Sequence, residues 1–509
     1  MRVPASLILG MGSLLPLVGA VPVDFRILDE TTKEPIPART YLSRDGSPVL
    51  PEGRYTYKRQ QEIHFLAPGE FTLELEPGTY QLQVERGLEY RPHQASLDIR
   101  EPTTVIIPMR RWIDLAAEGW WSGDTHLHVD PKDMELILRA EDLHFAPTIT
   151  HHVWDTLLKA PFGEAIAGEV HIDETHAYTA NAQEIERIMG GPGSIILFGP
   201  GLPLPFSGYQ HYPPAIHYTR EVHARGGYVE EDKPFWLDTF VNAALGEIDF
   251  VEINCNHFFR YGTDTDLARL SGWPQEMGYM GGKGMALWFM NLYYRMLGCG
   301  FPLKLTAGSA YGIRPSPAGF NRVYVKMDKF SVKSFWAGLK AGRSFTTNGP
   351  VLDLKVNGEH GPGSILSLDP GQKVRVSCKV RSRIELEEVE LLVNGRVAHR
   401  VSGEGRSEIT FELDLDLGES SWIALRAFER AHPAVLFGHT NPIYVLKDGR
   451  NVAISEDARR LLERVDRLID HTEKLEGFKQ ESHREETLKA YRQAREVYSR
   501  IAGERARAP

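Results

Sequence analysis

From Val21 to Pro108 apolar and polar positions alternate with period two. Phe71, Leu73 and Leu75 alternate with polar residues, Pro77-Gly78 offers a turn, and Tyr80, Leu82 and Val84 alternate again. This is the pattern of a β-hairpin with one buried face. Residues 21–110 are therefore expected to form a small antiparallel β-sandwich, a supporting module rather than a catalytic one. Between about Arg111 and Phe345 the pattern changes. Short apolar runs at Ala146–Thr150, Ile195–Phe198, Phe250–Asn254 and Lys304–Thr306 alternate with stretches of helical spacing. Met134, Ile137, Leu138 and Leu143 recur behind Asp130-Pro131, a helix start. Strands alternating with helices predict an α/β domain with parallel strands over residues 111–345. In a barrel of such units the active site sits at the carboxyl ends of the strands.

Alternation returns after Asn348-Gly349-Pro350. Val374, Val376, Cys378 and Val380 alternate, as do Phe411, Leu413, Leu415 and Leu417, and Asn357-Gly358 and Asn394-Gly395 are tight-turn dipeptides. A second β-sandwich is expected over residues 346–447, with Cys378 inside a strand. Residues 448–509 read as a helical tail. Leu461, Leu462, Val465, Leu468 and Ile469 share one face, and Leu488, Tyr491, Ala494, Val497, Tyr498 and Ile501 another. The favoured arrangement is a helical hairpin packed on the protein's own body.

The chain start has its own pattern. Arg2, an apolar stretch from Leu7 to Leu17 and the small residues Val18-Gly19-Ala20 make residues 1–20 a signal peptide, which implies a periplasmic or extracellular protein. The stretch is too short and glycine-broken to span about 30 Å of hydrocarbon, so no stable membrane insertion is expected. Among 509 residues, 58 are Lys or Arg and 68 are Asp or Glu, a net charge of −10. That balance disfavours a nucleic-acid partner, whose phosphates call for basic excess. Three cysteines are too few for a disulfide framework or a multi-thiolate zinc cluster, whereas 19 histidines offer metal ligands.

The strongest local signal is Trp120-Trp121-Ser122-Gly123-Asp124-Thr125-His126-Leu127-His128. Residues two apart on an extended segment project to the same side, so His126 and His128 can face one cation. The run Ala146–Thr150 also ends in histidines, His151-His152. Glu184 and Glu186 on residues 181–187 are candidate carboxylates. The same pattern fits a solvated helical face, the preferred reading for Glu186. Asp124 is a candidate to orient an imidazole. His223 falls on an expected helix in a structural role. The acidic run Glu230-Glu231-Asp232 precedes Lys233, and Cys255, next to Asn254 and Asn256, is expected in the core rather than as a nucleophile, with His257 two residues on.

The Gly123–His128 stretch resembles the opening motif of the polymerase-and-histidinol-phosphatase (PHP) superfamily, and more closely exported CehA/McbA-like metallohydrolases. The likeness continues through Glu231–Trp236, Asn254–His257, Ala307–Gly312, Asn321–Tyr324, Ala341–Arg343 and Asn348–Pro350. It implies a PHP-type distorted (β/α)7 barrel flanked by two small β-sandwiches and a C-terminal helical hairpin, with one to three divalent metals. It also implies hydrolysis of phosphoesters, and in this branch of esters or carbamates. The departures are specific. His151 stands where the family has aspartate, Lys233 where it has histidine, and Ala310 and Gly312 where it has two further ligands. What the resemblance leaves is a single divalent ion (zinc, manganese or iron) on His126, His128, His152 and Glu184 or His257.

In the enzyme reading the metal lowers the pKa of a bound water toward about 7. His257 or Glu184 then acts as general base, and Lys233 stabilises an oxyanion or holds an anionic substrate. The competing reading is a barrel that has lost catalysis and binds a glycan or other ligand. Trp120, Trp121, Trp154, Phe235 and Trp236 near these segments suit an apolar or sugar-like small molecule, or simply pack. The sequence leaves the substrate and the oligomeric state open.

Overall fold

The computed structural model describes residues 19–154, 157–159, 162–187, 191–266, 279–368 and 372–503. The expected leader lies, up to residue 18, outside them.

In the N-terminal region Val21–Asp29 is the central strand of a three-stranded sheet, antiparallel to Glu70–Leu75 and parallel to Thr103–Met109. A second sheet runs in the order Thr56–Arg59, Glu62–Ala67, Ala38–Arg44, Gly78–Glu85, His93–Ile99. Phe25, Phe65, Phe71, Leu73, Leu82 and Val84, drawn from both sheets, share one core. The alternation around Pro77-Gly78 does mark two strands, but they do not pair as a hairpin. Glu70–Leu75 joins the first sheet and Gly78–Glu85 the second. Period two specifies a half-buried strand; partner choice is a separate, long-range matter.

The expected (β/α)7 barrel is not what the chain forms. The molecule is mostly sheet, 40% strand against 21% helix, and among the described residues no barrel closes. Trp120–Gly123, Phe145–Trp154 and Ala177–Arg187 are parallel neighbours. From Ala177–Arg187 the sheet turns antiparallel through Gly193–Phe198 to Tyr228–Glu231, then parallel again through Phe250–Asn254 to Lys304–Ala307. A (β/α) barrel needs a helical crossover between successive parallel strands. Here the connection from Phe145–Trp154 to Ala177–Arg187 carries the strands Leu157–Lys159 and Ile166–His171 instead. At the other edge, Trp120–Gly123 pairs with Arg322–Lys326, which pairs with Ser344–Thr347, which pairs with Phe437–Thr440. The central sheet thus runs on into the C-terminal region instead of closing on itself.

The C-terminal region adds a three-stranded sheet of Val351–Val356, Val374–Arg381 and Glu408–Leu415. It shares a core with Val389, Leu391, Ile423, Leu425 and Val445 of the continuing large sheet. Cys378 is buried opposite Phe411. Asn394 (φ 48°) and Gly395 (φ 75°) both sit in the left-handed region and join Leu386–Val393 to Arg396–Ser402, the geometry of a two-residue hairpin turn. The helices Ser455–Lys474 and Glu481–Ala502 pack on each other, the first also on Gly281–Gly298 and the second on Thr239–Ala244. Leu461, Leu462, Tyr491 and Tyr498 are buried in the same core as Phe240 and Met296, and the Tyr498 hydroxyl donates to the Phe240 carbonyl at 2.7 Å. Among the described residues no helix is long and apolar enough to cross a membrane.

Candidate metal centre

His126 and His128 follow the strand Trp120–Gly123, on a segment held between Thr148 and Tyr311 by the isolated bridges of Leu127. His152 lies on Phe145–Trp154. Glu184 and Glu186 lie on the neighbouring parallel strand, with His152 in register with Glu184. The expectation of a helical face at residues 181–187 therefore fails. The segment is a strand buried on both sides, so its carboxylates, two residues apart, project together toward the histidines. Such a strand shows no clean apolar–polar alternation, which is why its period was unreadable.

The side chains converge tightly. His126 Nε2 is 3.1 Å from His128 Nε2 and 3.7 Å from Glu184 Oε1. Glu184 Oε2 lies 3.2 Å from His128 Nε2 and 3.3 Å from His152 Nε2, and His152 Nε2 is 3.1 Å from Glu186 Oε2. All five side chains are buried. Despite this crowding, Glu184 Oε2 and His128 Nδ1 have no hydrogen-bond partner. Imidazole nitrogens and carboxylate oxygens this close together and out of water are what a shared cation needs. The buried groups His126, His128, Glu184 and His152, Glu184, Glu186 can hold a metal ion, and they share Glu184. Glu186, read from sequence as a solvated residue, belongs to this set.

Behind His126 stands Glu252, which the sequence reading did not single out. His126 Nδ1 donates to Glu252 Oε1 at 3.2 Å, leaving Nε2 to face the cluster, the arrangement that fixes a metal-binding imidazole. One signal was available: Glu252 is the single carboxylate in the mostly apolar run Phe250-Val251-Glu252-Ile253-Asn254, all of which is buried. Burial acts against charge on His126, but Glu252 and Glu184 outweigh it and hold its pKa well above the ordinary value. For His128 burial outweighs Glu184 and brings the pKa down to about 3, so this ring is neutral with a free lone pair. Burial would raise Glu184, yet His152 and His126 hold it well below the usual carboxylate range.

Asp124 does not orient an imidazole. Its Oδ1 accepts from the backbone N–H of His126 at 3.0 Å and of Ser309 at 3.2 Å, and its Oδ2 from Gly319 N–H at 2.7 Å and from the Ser309 hydroxyl. It ties three chain segments together beneath the cluster. Burial still raises it to about 6.

Lys233 is buried, ion-paired with Asp232 and 5.3 Å from the centre of the Trp236 ring, whose N–H also binds Asp232. Burial opposes its charge, but Asp232 and Glu186 hold its pKa well above normal. His257 makes no hydrogen bond or ion pair with the histidine–glutamate cluster among the described residues. Its Nδ1 donates to the Asp264 carbonyl at 2.6 Å, and its buried Nε2 has no hydrogen-bond partner. Burial and the Lys233 ammonium bring it down to about 3. Burial pushes the Cys255 thiol far up, which opposes a thiolate nucleophile. His151 is half-buried on the opposite face of its strand, where Thr150 Oγ1 is 3.2 Å from its Nδ1.

The loop after Lys304–Ala307 is shaped for backbone. Ala310 is buried with φ 49°, and a Cβ at Gly312 would lie 1.9 Å from the His128 carbonyl oxygen. No side chain at 312 fits this backbone, in keeping with the absence of a ligand there. Of the flanking aromatic residues, Trp120 packs edge-on against Phe345, and Phe235 stacks on Trp288. Two aromatic rings stand against cluster histidines: half-buried Trp154, 5.9 Å from the His152 ring, and Phe162, 5.2 Å from the His128 ring.

His223, on the helix Ile216–Ala224, serves the fold. It pairs with Asp249 at 3.0 Å and Glu247 at 3.8 Å. The hydrogen bonds to Asp249 and Glu247 raise its pKa to about 9. A pKa raised on folding gives stability that is complete below the unfolded value of about 6.5 and is lost as pH rises through about 9. Because solvent screens this partly exposed ring, His223→Gln is expected to cost only about 1 kcal/mol at pH 6 and less above pH 9. Urea unfolding of both proteins across that range reads the difference, and a pH-independent difference would refute the ion pair's contribution.

No family model matches the chain, and no curated protein does.

Proposed function

We propose that this chain is an exported metal-dependent hydrolase that cleaves an ester, carbamate or phosphoester bond of a small molecule. The observation that carries the reading is the convergence of the buried side chains of His126, His128 and His152 on Glu184, with Glu252 fixing the outer nitrogen of His126. Imidazole and carboxylate donors together suit zinc, manganese or iron. A divalent ion bound there supplies Lewis acidity, which activates water and polarises a carbonyl or phosphoryl oxygen. The resemblance to PHP-type and CehA/McbA-like hydrolases supports the same reading through its motif residues, independently of barrel closure.

The protein's own groups then have distinct tasks. His126, His128, His152 and Glu184 hold the ion, and Glu186 extends the donor set beside His152. His257 keeps a lone pair at Nε2, because Nδ1 is committed to the Asp264 carbonyl. That makes Nε2 a proton acceptor in the buried interior. Lys233 stays cationic, and Asp232 fixes the ammonium in place, so it offers a positioned charge to an anionic group of the substrate.

The test is elemental mass spectrometry of the purified mature protein and of a His126→Ala/His128→Ala variant. About one metal ion per chain, lost in the variant together with turnover in an ester and phosphoester screen, is the expected result. No metal after reconstitution with zinc, manganese or iron would overturn the hydrolase reading and leave ligand binding, of a glycan for example, as the function to assay.

A further inference from the structure

A second charged site lies where the N-terminal, central and C-terminal regions meet. A cavity of about 220 Å³ there is lined by Arg39, Arg260, Arg322 and Arg383 against only two carboxylates, Glu85 and Glu141. Both carboxylates are already taken. Arg39 binds Glu141 and, at 2.6 Å, Glu85, while Arg260 reaches the other oxygen of Glu85 at 2.5 Å. The next acids, Glu89 and Asp142, are held by Arg111 at 3.0 Å each, and Asp142 also by Arg86 at 3.1 Å.

Arg322 and Arg383 are left with neutral partners. Arg322 is 1% exposed and donates to the carbonyls of Gly319 at 2.6 Å and Glu141 at 3.2 Å. Arg383 donates to the Tyr90 carbonyl at 2.9 Å. Neither forms an ion pair among the described residues. A guanidinium held away from water calls for an anion, and its fixed fork of N–H groups matches a tetrahedral oxyanion.

We infer that this cavity binds a small oxyanion of the phosphate class, free or as the head of a phosphate monoester, between Arg322 of the central region and Arg383 of the C-terminal region. The site is separate from the metal centre but mechanically joined to it. Arg322 Nε holds the Gly319 carbonyl, the Gly319 N–H donates to Asp124 at 2.7 Å, and Asp124 accepts from the His126 backbone N–H at 3.0 Å. An anion seated on Arg322 would therefore brace the segment that presents His126.

Isothermal titration of the full mature chain with inorganic phosphate and with glycerol phosphate, at constant ionic strength, tests this. One saturable site is expected, at least about tenfold weaker in Arg383→Gln and unchanged in His126→Ala/His128→Ala. If Arg383→Gln fails to fold by circular dichroism, Arg383→Lys, which keeps the charge but loses the fork, serves instead and should weaken binding about threefold or more. Tighter binding of the monoester would identify a substituted phosphate, and equal binding the free ion. No saturable binding of either anion, or binding that survives at position 383 and is lost in the double histidine variant, would overturn the proposal.

Discussion

Glu184→Gln is expected to abolish metal retention and turnover while leaving the fold in place. Glu184 is the one residue shared by both donor groups, and its carboxylate reaches all three imidazoles within 3.7 Å. Glutamine keeps the shape but removes the charge, and it substitutes an N–H₂ donor for one oxygen. That donor would repel a cation, or would take up the lone pair of neutral His128 that the cation needs. Loss of an outer partner of a metal site typically costs about 10–100-fold in affinity. Loss of this central carboxylate should exceed about 100-fold, enough to strip the ion during purification. The checks are metal per chain by elemental mass spectrometry, a metal-binding titration, and circular dichroism to show that the fold persists. Unchanged stoichiometry in a folded Glu184→Gln protein would remove Glu184 from the centre and, with it, the proposed donor set.

The second large effect is expected from a single methyl group. At Gly308 a Cβ would stand 2.2 Å from the His126 Cβ and 2.3 Å from Glu252 Oε1. Glycine at this point is what allows His126 and its orienting carboxylate to meet above the loop. Gly308→Ala must push one of them aside in a fully buried setting, an overpacking cost of about 1–3 kcal/mol. It should also weaken metal binding, because the imidazole loses its fixed orientation. Urea unfolding and metal titration of the same variant read the two effects separately. A stable variant with wild-type metal affinity would mean that the backbone relaxes freely here, and the steric argument would fail.

The sequence was most informative where one residue's neighbours along the chain decide its environment. The Gly123–His128 stretch marks a strand end presenting two imidazoles to one side, and His126 and His128 do meet at 3.1 Å. The turn at Asn394-Gly395 and the strand containing Cys378 follow from local periodicity and turn chemistry. The carboxylates were harder to read. Glu184 and Glu186 sit on a strand enclosed on both faces, so neither a helical nor an alternating period appears. Glu252 lies more than 120 residues from the histidine that it orients, and only the sheet brings them to 3.2 Å. Asp124, beside His126 in sequence, binds backbone rather than a ring because Ser309 and Gly319 close over it.

The architecture divides in the same way. Apolar runs such as Ile195–Phe198 and Phe250–Asn254 are strands, as their composition dictates. Whether neighbouring strands run parallel or antiparallel, and whether a sheet closes, depends on which edges find partners far along the chain. Ser344–Thr347 finds Phe437–Thr440, and so the central sheet continues instead of forming a barrel. By itself, then, the sequence determined the alternating strands and short apolar strands, the turn at Asn394-Gly395 and the histidine pair, because those rest on steric and burial patterns a few residues long. Tertiary structure alone decided the sheet order, the glutamates that complete the candidate metal centre and the arginines left without carboxylates, because each depends on which distant groups share a buried volume from which water is excluded.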